Sequence, residues 1–96
     1  MSVLVLLEAK AAPGKEEEMV SAFAGVLPDT RAYEGCESLT AHINQDDGQL
    51  VLVERWGSRD QHEAYVQWRG ERGDLERLGA LMAGPPVTKY LDDVDI

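Results

Sequence analysis

Apolar residues follow a two-residue period along much of this chain, and in two stretches they occupy both parities. Over residues 3–9, Val3, Val5 and Leu7 point to one side of an extended strand and Leu4 and Leu6 to the other. Over 49–56, Leu50, Leu52, Glu54 and Trp56 share one side, and Val51, Val53 and Arg55 the other. A strand that is apolar on both faces needs two covers. The intervening run, 36–44, sets Leu39, Ala41 and Ile43 against Ser38, Thr40, His42 and Asn44. Asp47-Gly48 lies between the two runs and tolerates the positive φ of tight turns, which predicts a β-hairpin.

A helical period occupies the rest. Pro13-Gly14 closes the first strand and opens a helix, with Glu16, Glu17 and Glu18 opposing the positive end of its dipole. Met19, Phe23, Val26 and Leu27 form the helix's inward stripe. Pro28 costs about 3 kcal/mol inside a helix, which predicts a kink or a break there. Ser58 followed by Gln61 forms a capping box, and the helix behind it turns His62, Ala64, Tyr65 and Trp68 to one side. Gly70 and Gly73 are expected to interrupt it. Asp74 reads as the N-cap of a short helix with Leu75, Leu78, Leu81 and Met82 inward, stopped by Gly84-Pro85-Pro86 before a last strand over 87–91.

The order β-α-β-β-α-β predicts an α+β, ferredoxin-like fold in one domain over residues 1–96, with a four-stranded antiparallel sheet and helices on one face. Leu4, Leu6, Leu39, Ala41, Ile43, Val51 and Val53 are then expected on the other face. Leaving them in water forfeits on the order of 10 kcal/mol, so a homodimer packed through the open sheet face is expected.

Charge and composition narrow the partners. The 96 residues carry a net charge of −9, with basic residues scattered among acids, which argues against nucleic acid and anionic membranes. No apolar run approaches the roughly 20 residues of a membrane-spanning helix. The single cysteine, Cys36, forms no internal disulfide, which favours a cytoplasmic setting, and it reads as a small buried hydrophobe.

Candidate chemistry gathers beneath the helices. Strand pairing is expected to put His42, Leu52, Glu54 and Trp56 on the helix side, with His62, Tyr65 and Trp68 reaching in from the helix. Such a cavity suits a planar aromatic ligand, and a histidine in it can take a phenolic proton. The plainer alternatives are a solvent-facing His42, a surface His62 and a purely structural Trp56. The His and Glu positions lack metal-site spacing and there is no phosphate-binding glycine loop, so neither metal nor cofactor is expected.

Tyr33-Glu34-Gly35-Cys36, then Val51-Leu52-Val53-Glu54-Arg55-Trp56-Gly57-Ser58 entering a helix, resembles the antibiotic biosynthesis monooxygenase family. Gly84-Pro85-Pro86 before the last strand is also similar to some members. The resemblance implies a dimeric α/β barrel. It also implies oxidation of quinol- or anthrone-like aromatics by molecular oxygen without metal or flavin. Trp56 matches the family's pocket tryptophan, and His42 a strand histidine of the anthrone-oxidising type. That type carries an asparagine where Leu52 stands and a tyrosine where His62 stands. Its later-helix arginine corresponds to Arg77 or Arg72. The haem-degrading relatives' asparagine and histidine fall at Leu7 and Val66, which argues against haem degradation. Implied as catalytic are His42, His62 and Trp56, with Leu7, Phe23, Leu52, Glu54, Tyr65, Trp68 and Arg77 around the substrate. A non-catalytic aromatic-ligand or stress-related dimer and a polyketide cyclase or isomerase are the alternatives on the same fold.

Overall fold

A computed structural model describes residues 2–96. Its elements are β1 (Val3–Ala9), α1 (Glu16–Ala32), β2 (Cys36–Ile43), β3 (Leu50–Trp56), α2 (Arg59–Glu71), α3 (Asp74–Gly79) and β4 (Val87–Leu91). The strands form one antiparallel sheet in the order β2-β3-β1-β4. This is the ferredoxin-like arrangement expected from the sequence, and the two doubly apolar strands are its central pair. The hairpin turn closes with Gly48 at φ +74° and its N–H donating to the Asn44 carbonyl at 2.8 Å.

Register decides which side chains meet the helices. Val3, Val5, Leu7 and Ala9 pair with Trp56, Glu54, Leu52 and Leu50. Beneath α1 and α3, Ala9, Met19, Phe23, Leu27, Leu39, Leu50, Leu52 and Leu78 form the main core. Val3, Val5 and Trp56 form a second cluster, packed with Tyr33, Tyr65 and Tyr90.

The expected side assignment of β2 is reversed. Cys36 pairs with Trp56 but Ser38 with Arg55, because an irregularity between them inserts a residue and flips the parity of the rest of the strand. Leu39, Ala41 and Ile43 therefore pair with Glu54, Leu52 and Leu50 on the helix side, and His42 pairs with Val51 on the open side. The open apolar patch is accordingly Leu4, Leu6, Val51 and Val53, all half-buried, with exposed Val87 and Leu91 on β4. Ion pairs flank it: Lys89 with Glu8 at 2.8 Å and Arg55 with Asp93 at 3.2 Å.

Three helix boundaries also differ from expectation. α1 continues through Pro28 to Ala32. The carbonyl that Pro28 cannot serve, on Ala24, lies on the same exposed flank, open to solvent. α2 absorbs Gly70 and stops before Gly73, whose φ of +80° makes the turn. Gly73, rather than Asp74, occupies the N-cap of α3, which frees the Asp74 carboxylate for a different task.

Candidate functional site

A cavity of about 220 Å³ lies between the sheet and the helices. Leu7, Leu52, Glu54 and Thr88 form its floor, Phe23, Val26, Leu27 and Thr30 come from α1, and His62, Tyr65, Val66 and Arg69 from α2. Leu75, Leu78, Gly79, Met82 and Pro86 complete the wall. Of these, Leu75, Gly79, Pro86 and Thr88 are exposed, so the cavity opens between α3 and the β4 edge. The lining is mostly apolar, with a few polar groups at fixed places.

One polar group centres on His62. The Ser58 hydroxyl accepts from Gln61 N at 3.1 Å, which caps the start of α2 and supplies one half of the expected capping box. Gln61 itself fills the space where Gly35 would carry a side chain, with its Cβ 2.9 Å from that position; Gly35 also sits at φ +98°. This seat turns the next residue, His62, inward, where it is 2 % exposed. Its Nδ1 lies 2.7 Å from the Tyr90 hydroxyl and its Nε2 3.9 Å from Glu54 Oε1. Trp56 meets the imidazole edge-on at 5.2 Å and donates Nε1–H to Glu54 Oε1 at 2.9 Å.

Burial sets the charges here. Desolvation lowers the His62 pKa to about 4, against a weaker opposing pull from Glu63. Desolvation raises the Glu54 carboxyl, offset in part by the Trp56 hydrogen bond. A neutral imidazole and a reluctant carboxylate thus face one point at the cavity floor. An oxygen atom hydrogen-bonded to both fits their 3.9 Å separation. Among the described residues, no group of three His, Cys, Asp or Glu stands close enough to hold a metal ion.

The second polar group centres on Arg69, 2 % exposed. Its Nε donates to Tyr65 Oη at 2.9 Å, Nη1 to Asp74 Oδ2 at 2.9 Å, and Nη2 to the Val26 carbonyl at 2.7 Å and Thr30 Oγ1 at 3.1 Å. The hydrogen bond from Arg69, joined by Arg72, holds the buried Asp74 carboxyl below its ordinary range. Arg77 also donates to Asp74, from the solvent side.

The expected site residues divide accordingly. Leu7, Phe23, Leu52, Glu54, His62 and Tyr65 come together around the cavity. His42 does not: it is exposed on the opposite sheet face, with Nε2 2.8 Å from Thr40 Oγ1. Trp56 is fully buried behind the wall and bears on the cavity through Glu54, His62 and Tyr65, which it touches. Trp68 packs at a tilt against Tyr33, with ring centroids 5.1 Å apart, and the Arg72 guanidinium lies 4.7 Å from its ring. Arg77 and Arg72 stand outside, and the arginine in the wall is Arg69. Sequence reasoning missed it, although Arg69 continues the helical stripe of His62 and Tyr65 at spacings of three and four.

Known proteins resemble this chain in sequence and in fold. A family model described as "Antibiotic biosynthesis monooxygenase" matches residues 2–69. "Putative monooxygenase Rv0793" of Mycobacterium tuberculosis is 30% identical over 79 residues, covering 76% of this chain and 78% of that protein. The solved structure of Rv0793 superimposes with a TM-score of 0.83, covering 100% of this chain and 98% of that one at 25% identity. A Caulobacter crescentus structure described as "a putative antibiotic biosynthesis monooxygenase" gives a TM-score of 0.83 at 25% identity, covering 98% and 91%.

Proposed function

The chain belongs to the antibiotic biosynthesis monooxygenase family, and on that basis we propose that it oxygenates a small phenolic or quinol-like aromatic with molecular oxygen. The observation that carries this reading is a neutral, buried His62 beside Glu54 in a mostly apolar cavity. His62 Nε2 takes the acidic proton of the substrate, leaving an electron-rich anion. Exclusion of water keeps that anion reactive. The anion itself is the electron donor to oxygen, so the proposed reaction uses no cofactor. For an anthrone-like methylene, the carbon gains one oxygen atom as a carbonyl, and the second oxygen leaves as water with the two hydrogens. Glu54 and His62 hold the reacting oxygen, while Leu7, Phe23, Leu52 and Tyr65 orient the ring.

Size narrows the substrate. A buried apolar cavity of about 150 Å³ holds benzene, so about 220 Å³ suits one or two rings. A three-ring substrate would extend through the opening beside Leu75 and Pro86. The test is oxygen uptake with mono-, di- and tricyclic quinols. Turnover that collapses in His62→Ala and persists in His42→Ala supports the reading. No uptake above buffer, or equal rates in wild type and His62→Ala, refutes it. Leu52, standing where the anthrone-oxidising type has asparagine, favours a second reading: tight binding of the same aromatics with no oxygen consumed.

The proposal includes a homodimer. A second copy laid on Leu4, Leu6, Val51 and Val53 would remove these residues from water, and the flanking charge pairs would border the contact. Sedimentation at micromolar concentration is expected to give twice the 10.6 kDa chain mass, and Leu6→Glu the single mass. A wild-type protein sedimenting as a monomer refutes the pairing.

A further inference from the structure

His62 divides two spaces. On one side is the cavity; on the other is an outer groove lined by His62, Glu63, Val66, Gln67, Thr88 and Tyr90. The two ring nitrogens serve different sides, Nε2 toward Glu54 and Nδ1 toward the Tyr90 hydroxyl at 2.7 Å. Tyr90 is half-buried on β4 and borders the groove. The Arg59 guanidinium lies 4.1 Å over its ring and pairs with Glu63 at 3.5 Å. We propose that Tyr90 is the proton exit of the cavity, carrying the substrate's proton from His62 out to solvent in the groove. This rests on the reading of His62 as the base.

An imidazole with a pKa near 4 cannot hold a positive charge through a slow oxygen reaction near neutrality. It can pass a proton through. At rest, Nδ1–H donates to Tyr90 Oη and the Nε2 lone pair faces the cavity. The substrate O–H breaks as Nε2–H forms. Nδ1–H moves to Tyr90 Oη, whose own proton goes to water in the groove. The imidazole stays neutral and changes tautomer. When oxygen adds, Nε2 returns its proton to the peroxide formed, and Nδ1 regains one by the same route reversed. Atoms and charges balance, and the cycle needs no charged intermediate on His62. The charged and titratable groups packed around this path are Glu54 from β3, Arg59 and Glu63 from α2, and Tyr90 from β4. Burial and Glu63 raise the Tyr90 phenol above its ordinary range, with Arg59 a smaller opposing pull, so its hydroxyl passes the proton in concert and does not rest as phenolate. Tyr90 is thus a relay residue that acts through His62 and does not touch substrate.

Tyr90→Phe removes the hydroxyl and keeps the ring beneath Arg59. The experiment uses 4-nitrophenol, whose anion absorbs visible light, mixed anaerobically with the protein and a pH indicator. In wild type, bound phenolate and a bulk proton are expected to appear together. In Tyr90→Phe both rates are expected to fall by about a hundredfold or more, with the affinity for the phenol unchanged. Equal rates in the two proteins, or no phenolate formed in wild type, overturn the relay. Nitrogen-15 NMR of wild-type His62 gives a second readout that needs no variant. A neutral ring protonated on Nδ1 is expected, and one protonated on Nε2 overturns the proposal. Oxygen uptake separates the two ideas: quinol turnover with unchanged proton release in Tyr90→Phe sinks the relay and leaves the oxygenase standing.

Discussion

His62 makes acid stability a direct reading of the buried site. Its pKa falls from 6.5 in the open chain to about 4 in the fold. The folded-state value is depressed, so the unfolded chain binds the extra proton between those pH values. Stability from this group is therefore present above pH 6.5 and lost as pH falls toward 4. At about 1.4 kcal/mol per pH unit, the loss between neutrality and pH 4 comes to about 3 kcal/mol. Glu54 works in the opposite sense, since its raised carboxyl gains a proton on folding as the solution is acidified. The variant His62→Gln keeps Glu54 and a polar partner for Tyr90, so the difference between the two proteins isolates the histidine. Urea unfolding followed by the fluorescence of Trp56 and Trp68, at one fixed protein concentration, is the assay. Wild type is expected to lose about 3 kcal/mol more than His62→Gln between neutral pH and pH 4. Parallel losses in the two proteins would mean that His62 is not held neutral and buried, and the chemistry built on it would go too.

The packing sets three further outcomes. Arg69→Met strands Asp74 with only its two outer arginines and is expected to cost about 3–5 kcal/mol in urea unfolding, whereas Arg77→Met, which removes an exposed side chain and leaves Asp74 paired with Arg69 and Arg72, costs under about 1 kcal/mol. Trp56→Phe removes the hydrogen bond to Glu54 Oε1; the Glu54 carboxyl is expected to titrate at still higher pH by carbon-13 NMR, with a stability loss of about 1–3 kcal/mol. Gly35→Ala meets both the φ of +98° and the Gln61 side chain, and is expected to lower stability by about 1–3 kcal/mol. Adding Gln61→Ala should recover only part of that in thermal unfolding.

Element order was legible from the chain because β1 and β3 are apolar on both parities, a pattern only central strands sustain. The Ser58 cap and the Asp47-Gly48 turn likewise act through neighbours in sequence and were readable from it. The phase of β2 was not. A single inserted residue at the β2 start moves His42 from the helix side to the open side, and no composition signal announces an irregularity in pairing. Arg69 was hidden for another reason. A guanidinium is expected at the surface, and its burial here depends on Tyr65, Thr30, Asp74 and the Val26 carbonyl meeting it from three segments. Pro28 misled in the same way, because the cost of a proline depends on whether the orphaned carbonyl meets water. Of the expected site residues, Leu7, Phe23, Leu52, Glu54, His62 and Tyr65 surround the cavity, each on an element whose inward face its own period defines. Trp56 reaches it at one remove, and His42, Trp68 and Arg77 lie elsewhere.

Along β1, Leu6 and Leu7 are one peptide apart yet belong to opposite sides of the sheet, as are Val51 and Leu52 on β3. Neither strand has a position at which change is inconsequential on both sides. The roof is freer: Phe23, Val26, Val66, Leu75 and Met82 touch the cavity from elements with solvent behind them. Divergence in what such a protein accepts should therefore be written in the helices, while the two middle strands drift slowly.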